Sequence, residues 1–163
     1  MNKTALQKSF FTTYLLLIGI CIGAEITVGA LTASVIFFPN AYLGDGVLSH
    51  FQSGILMTQI FLRFNILLMI CTFFMVAYEI YSYFAKNQDF ISVVLLFIVL
   101  AGALTFALYF TPYIVEAQKL GAEATSTKEF KDIHGFSELT IKVVLIGQIA
   151  LFFRRVWREF RHT

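Results

Sequence analysis

Four charged residues stand inside stretches that are otherwise apolar: Glu25, Arg63, Glu138 and Lys142. An unpaired charge in hydrocarbon is costly, so such residues are partnered or functional. Glu25 and Arg63 carry opposite charges on the first and second apolar runs, and an ion pair between them is the simplest way to make both tolerable. His134, Glu138 and Lys142 recur at four-residue spacing, so they line one face of a helix, with Gln148 close to it. Glu138 and Lys142 have the makings of a proton relay, although pairing within the helix asks for the same residues. His50 and His134 are the candidates for metal chemistry, because two imidazoles at one depth can hold copper, zinc or haem iron. Against that, they are far apart in sequence and no HxxxH, CxxC or Met-rich cluster accompanies them. Two separate interfacial histidines satisfied by water or backbone are the plainer reading. His162 belongs to the tail and is expected to be solvated. Cys21 and Cys71 lie within apolar runs and read as small buried thiols, with no sign of a disulfide framework.

Four long apolar runs must position these groups. The composition is 58% hydrophobic and 13% charged, with a mean hydropathy of +0.78, which excludes an ordinary soluble domain. A bilayer core of about 30 Å needs roughly 20 apolar residues per helix. The expected fold is therefore all-α, an integral membrane bundle of four transmembrane helices over about 11–38, 50–84, 89–113 and 128–154, forming one domain over residues 1–163. No stretch is left for a soluble domain, since the longest polar segment runs from about Glu116 to His134. A cleaved signal peptide is the rival reading of the first run, but that run is longer than a signal core and contains Glu25.

Lys3, Lys8, Lys86, Arg154, Arg155, Arg158 and Arg161 fall to one side of a four-span topology. Lys119, Lys128 and Lys131 on the other side are diluted by acids. The positive-inside rule then makes both termini cytoplasmic in a multi-pass protein. The partner so implied is the lipid bilayer, with the Arg-rich tail and Trp157 at anionic headgroups; so short a basic tail does not call for nucleic acid.

Local signals set the helix ends. Ser49-His50-Phe51-Gln52 and Ser126-Thr127-Lys128-Glu129 have the spacing of capping boxes. Pro39-Asn40 ends the first helix, Asp45-Gly46 supplies a turn, and Asn87-Gln88-Asp89 makes a tight connection between antiparallel neighbours. Counting thirteen residues back from Phe38 and forward from His50 puts Glu25 and Arg63 each roughly 20 Å below the same end of the bundle. On the second run Gln52, Gln59 and Arg63 share a face, whereas Thr58, Asn65, Thr72 and Glu79 keep an exact heptad on the opposite one. Gln59, Glu138 and Lys142 are thus candidates for a polar face between helices, which holds the bundle together or receives a ligand, ion or proton. Gly19 and Gly23 begin a stripe of small residues continued by Thr27, Ala30 and Ser34. It permits close approach within the bundle or to a second copy, so a homo-oligomer or a membrane-complex partner fits as well.

Phosphate loops, nucleophile elbows and HExxH motifs are absent, so nothing marks the chain as an enzyme. Three segments carry a family likeness: Val28-Gly29-Ala30 through Phe37-Phe38-Pro39, Ile60-Phe61-Leu62-Arg63-Phe64-Asn65, and Phe130-Lys131-Asp132-Ile133-His134-Gly135-Phe136-Ser137. They resemble the four-helix membrane family called domain of unknown function 4149. That family is similar to transmembrane-protein-205-like proteins and, more distantly, to copper-resistance-D-like and protoporphyrinogen-oxidase-like bundles. The resemblance rests on Gly29, Pro39, Arg63, His134 and Gly135. It implies a bacterial inner membrane and opens copper or haem as cofactors, although the first run lacks the histidine that the porphyrin enzymes have there. Three readings follow: a bundle binding a small ligand, metal or partner, a haem- or porphyrin-linked redox protein, and a structural or assembly subunit.

Overall fold

The computed structural model describes residues 4–44 and 46–161, and no strand occurs among them. The expectations for Lys3, Asp45 and His162 lie outside the described residues. Four helices are long and apolar enough to cross a membrane: α1 (Ala5–Phe37), α3 (His50–Phe84), α4 (Phe90–Lys119) and α6 (Lys128–Arg161). Two short helices, α2 (Asn40–Leu43) and α5 (Ala122–Ser126), lie in the connections at the end remote from the termini. The protein is therefore a multi-pass integral membrane protein. Its two ends are called here the terminal end, which carries both termini and the α3–α4 loop, and the far end.

Capping chemistry sets several boundaries. Thr4 and Gln7 form a capping box that starts α1, and Ser49 and Gln52 form the one that starts α3. Asp89 caps α4, its carboxylate accepting from the backbone N–H of Ser92. The box expected at Ser126 and Glu129 does not form. Ser126 closes α5, and the cap of α6 is Thr127, whose hydroxyl accepts from the Phe130 N–H at 3.2 Å. One residue of slip replaces the glutamate at the reciprocal position by a phenylalanine that cannot return the bond. Between α4 and α5 the chain turns at Gly121, whose φ of +101° suits only glycine.

Two spanning helices widen locally into π-turns, Thr27–Thr32 in α1 and Phe106–Phe110 in α4. Such turns divert backbone carbonyls from their regular partners and are often found at functional sites. In α4 the Thr111 hydroxyl takes up the Phe106 carbonyl at 2.9 Å. In α1 the widened turn begins two residues after Glu25.

The helices occupy the corners of a square. α1 packs on α3 and α6, α4 packs on α3 and α6, and the pairs α1/α4 and α3/α6 lie across the diagonals. The closest approach is between α4 and α6, where Gly102 faces Val144 and Gly147 faces Val99. A Cβ on Gly102 would come within 2.5 Å of Val144, so glycine is required there by packing. Ile18, Leu68, Val99, Ala103, Val144 and Leu151 fill the centre, while Leu16, Ile66, Phe73, Phe97, Ile146 and Phe153 face outward as a lipid-contacting surface.

Candidate functional site

Polar residues in the interior gather at levels along the bundle, and the heptad on α3 supplies one at each level. Thr58, Asn65, Thr72 and Glu79 are all buried, as their shared face requires. Towards the far end, Gln118 of α4 donates to the Thr58 hydroxyl and Asn65 donates to the Thr111 hydroxyl, both at 2.9 Å.

At the terminal end, Glu79 meets Arg155 of α6 in an ion pair whose side chains are 1% and 2% exposed. Tyr14 of α1 donates to Glu79 Oε1 at 3.0 Å, and Arg155 Nε donates to the same oxygen at 2.9 Å. The guanidinium also reaches the Asn87 carbonyl at 3.2 Å and Gln88 Oε1 at 2.6 Å, and lies over the Tyr78 ring. Next to it, Arg154 and Arg158 both bind Asp89. Partial burial pushes the Asp89 carboxyl upward, but hydrogen bonds from Ser92 and the Arg158 guanidinium outweigh it and hold this group well below the usual carboxylate range. Three of the tail arginines expected at lipid headgroups are thus turned inward to clamp the α3–α4 loop. Arg161 stays exposed and stacks over Trp157.

The middle of the bundle holds a second, less complete cluster. Gln148 of α6 donates to Glu25 Oε1 at 2.9 Å, and the thiol of Cys21 lies 3.8 Å from the same oxygen. Cys71 of α3 meets Cys21 and donates to the Leu17 carbonyl at 3.5 Å. Glu25 is 6% exposed and Gln148 is fully buried, yet Glu25 Oε2 and Gln148 Oε1 have no partner among the described residues. Where the terminal-end network is saturated, this one is short of a donor.

The expected Glu25–Arg63 ion pair does not form. Tyr14 and Arg155 both bind Glu79, which gives a common zero level. From it, helical rise puts Glu25 about 17 Å and Arg63 about 24 Å towards the far end. The two also point apart, because Arg63 is exposed and donates to the Gln59 carbonyl at 2.8 Å. Gln59 is likewise exposed, and so are Glu138 and Lys142, which pair with each other at 3.4 Å. The polar face anticipated for these residues is therefore an outer face of the bundle. Gln148, expected beside them, is turned into the core.

The histidines keep separate company. His50 lies against Phe37, at the edge of an open recess of about 360 Å³ lined by Phe37, Phe38, Pro39, Asn40, Ala41, Leu48, His50 and Ser53. His134 stacks on Phe130, approaches Glu138 at 3.4 Å and leaves Nδ1 buried without a partner among the described residues. They sit on α3 and α6, across the diagonal, and no group of three or more His, Cys, Asp or Glu among the described residues is placed to hold a metal.

Sequence reasoning missed Tyr14, Cys21, Cys71, Asp89 and Arg155 as members of these clusters. A signal was present for Arg155, which follows Gln148 by seven residues and so shares its helical face. A family model described as domain of unknown function (DUF4149) matches residues 16–123. No curated protein and no solved structure matches the chain. The matched stretch covers α1 from Leu16 onward, α3 and α4 and includes Glu25, Cys71 and Glu79, and on that match, which spans more than half of the 163 residues, the chain belongs to the DUF4149 family.

Proposed function

We propose that the protein is a membrane-embedded binding bundle and that its central site, formed by Cys21, Glu25, Cys71 and Gln148, binds a proton. The observation that carries this reading is the donor deficit of the Glu25–Gln148 pair, in which one oxygen of each side chain is buried and unpartnered. Leaving a buried polar atom unpaired costs about 1–3 kcal/mol, so such a group calls for an explanation. A proton on Glu25 Oε2 converts one orphan acceptor into a donor. Gln148 Oε1 is the acceptor left over in the same pair. Acid and amide then exchange two hydrogen bonds, and no uncompensated charge remains between α1 and α6. Among the described residues no cation lies within ion-pair distance of Glu25, so a proton is the counter-charge the site can take. Ile18, Met75 and Leu151, all buried, lie one helical turn from Tyr14, Glu79 and Arg155, between that network and this site, which makes the two centres separate.

Infrared spectroscopy of the protein in lipid vesicles tests the reading. The expected result is a protonated-carboxyl band at neutral pH that is missing in Glu25→Gln, a variant that keeps the shape of the pair. A wild-type spectrum without any band that Glu25→Gln removes would overturn it.

A further inference from the structure

The outward charges left over from the core lie at matched depth on either side of α1. Arg63 is sixteen residues from Glu79 on α3, and Glu138 is seventeen from Arg155 on α6. Since Glu79 and Arg155 are paired, the two charges stand about 24 and 26 Å from that common level, within one residue's rise of each other.

Their directions follow from the same helical geometry. Cys71 faces α1, where it meets the Leu17 carbonyl, and Asn65 faces α4, where it meets Thr111. At 100° per residue, Arg63 points about 80° from Cys71 and about 160° from Asn65. On α6, Gln148 faces α1 through Glu25 and Gly147 faces α4 through Val99. Glu138 points about 80° from Gln148 and about 180° from Gly147. Arg63 and Glu138 therefore flank α1, one on each side of it, and both lean outward.

Between them runs the outer face of α1, where Gly19, Gly23, Thr27, Ala30 and Ser34 are all exposed and nothing lies within 4 Å of a Cβ built on Gly19 or Gly23. Ala30 is sixteen residues from Tyr14, which is bonded to Glu79, so it stands at the level of the two charges. The helix is thin where long side chains would have to pass.

We infer that this face docks a second copy of the chain. A two-fold axis along the membrane normal, through the α1–α1 contact, sets the Arg63 side of one copy against the Glu138 side of the other, and each contact occurs twice. Among the described residues Arg63 is bonded only to a backbone carbonyl of its own helix, while Glu138 is 56% exposed and makes only contacts of 3.4 Å with Lys142 and His134. A guanidinium from the other copy gains a carboxylate at its own depth, the bidentate match that arginine makes best. This inference does not depend on the protonation of Glu25.

Subunit counting by single-molecule photobleaching in phospholipid vesicles, over a range of protein-to-lipid ratios, tests it. The wild type is expected to be dimeric. Arg63→Glu, which sets like charges together, should weaken association by about tenfold or more. The double variant Arg63→Glu with Glu138→Arg should recover it, which a mere folding defect would not allow. Gly23→Leu, at an open position that the single bundle does not use, should also give monomers. A protein that is monomeric at every density overturns the inference, as does a dimer indifferent to both Arg63→Glu and Gly23→Leu. So does a monomer in which Arg63→Glu only abolishes retention of a phospholipid, an outcome that would assign Arg63 to a lipid phosphate.

Discussion

Glu79 and Arg155 show how much a single side chain can decide in this bundle. Both are removed from water, and each is satisfied mainly by the other. Taking away one partner leaves a bare charge in the interior, whereas replacing both leaves none. Arg155→Leu should cost about 3–5 kcal/mol in mixed-micelle unfolding, and Arg155→Leu with Glu79→Leu distinctly less. Simple additivity of the two single losses would mean that the pair is not coupled. Glu79 was legible as the last member of a buried heptad. Arg155 was not, because a tail with several arginines looks like a headgroup anchor, and only the rotation of α6 separates those that turn inward from Arg161.

At the scale of elements, helix identity follows from apolar length, and contact faces follow from small residues. Two sets of small residues compete for that role. The Gly19–Gly23 stripe is conspicuous in the sequence, yet it faces away from the bundle; the tight internal seam is made by Gly102 and Gly147. Gly102→Ala or Gly147→Ala should therefore destabilise the monomer by about 1–3 kcal/mol through overpacking, while Gly19→Ala should leave its unfolding midpoint unchanged. Equal effects at the two sets would contradict the assigned faces. The sequence could not distinguish them, since small-residue spacing marks a close-approach surface without naming its partner.

For the whole molecule, the terminal end is closed by charge and the middle by incomplete polar pairing. The α3–α4 loop is tied to α6 through Asp89, whose folded-state carboxyl stays ionised far into the acid range. A carboxylate with a depressed folded value contributes stability that is fully present above its unfolded value of about 3.9 and is lost as pH falls towards the folded one. Acidification below about pH 4 should thus loosen the terminal end. In hydrogen exchange, amides of the 85–89 loop should lose protection on acidification in the wild type. In Asp89→Asn they should start less protected and change little with pH. Loop protection that is the same in both proteins across this range would show that Asp89 does not hold the loop.

The chain by itself determined the class of this protein, the number of its spans, the cap that opens α3 and the buried polar heptad of α3. Those features are local: hydrocarbon length, backbone capping and a seven-residue repeat are all read along one helix. Which charge meets which was decided only by tertiary structure. Spacing along one helix can be counted from its residues, but the offset of one helix against another, rotation about its axis and the choice of neighbour arise when four helices pack. Those offsets and rotations sent Glu25 to Gln148, Glu79 to Arg155, and Arg63 and Glu138 to the outside.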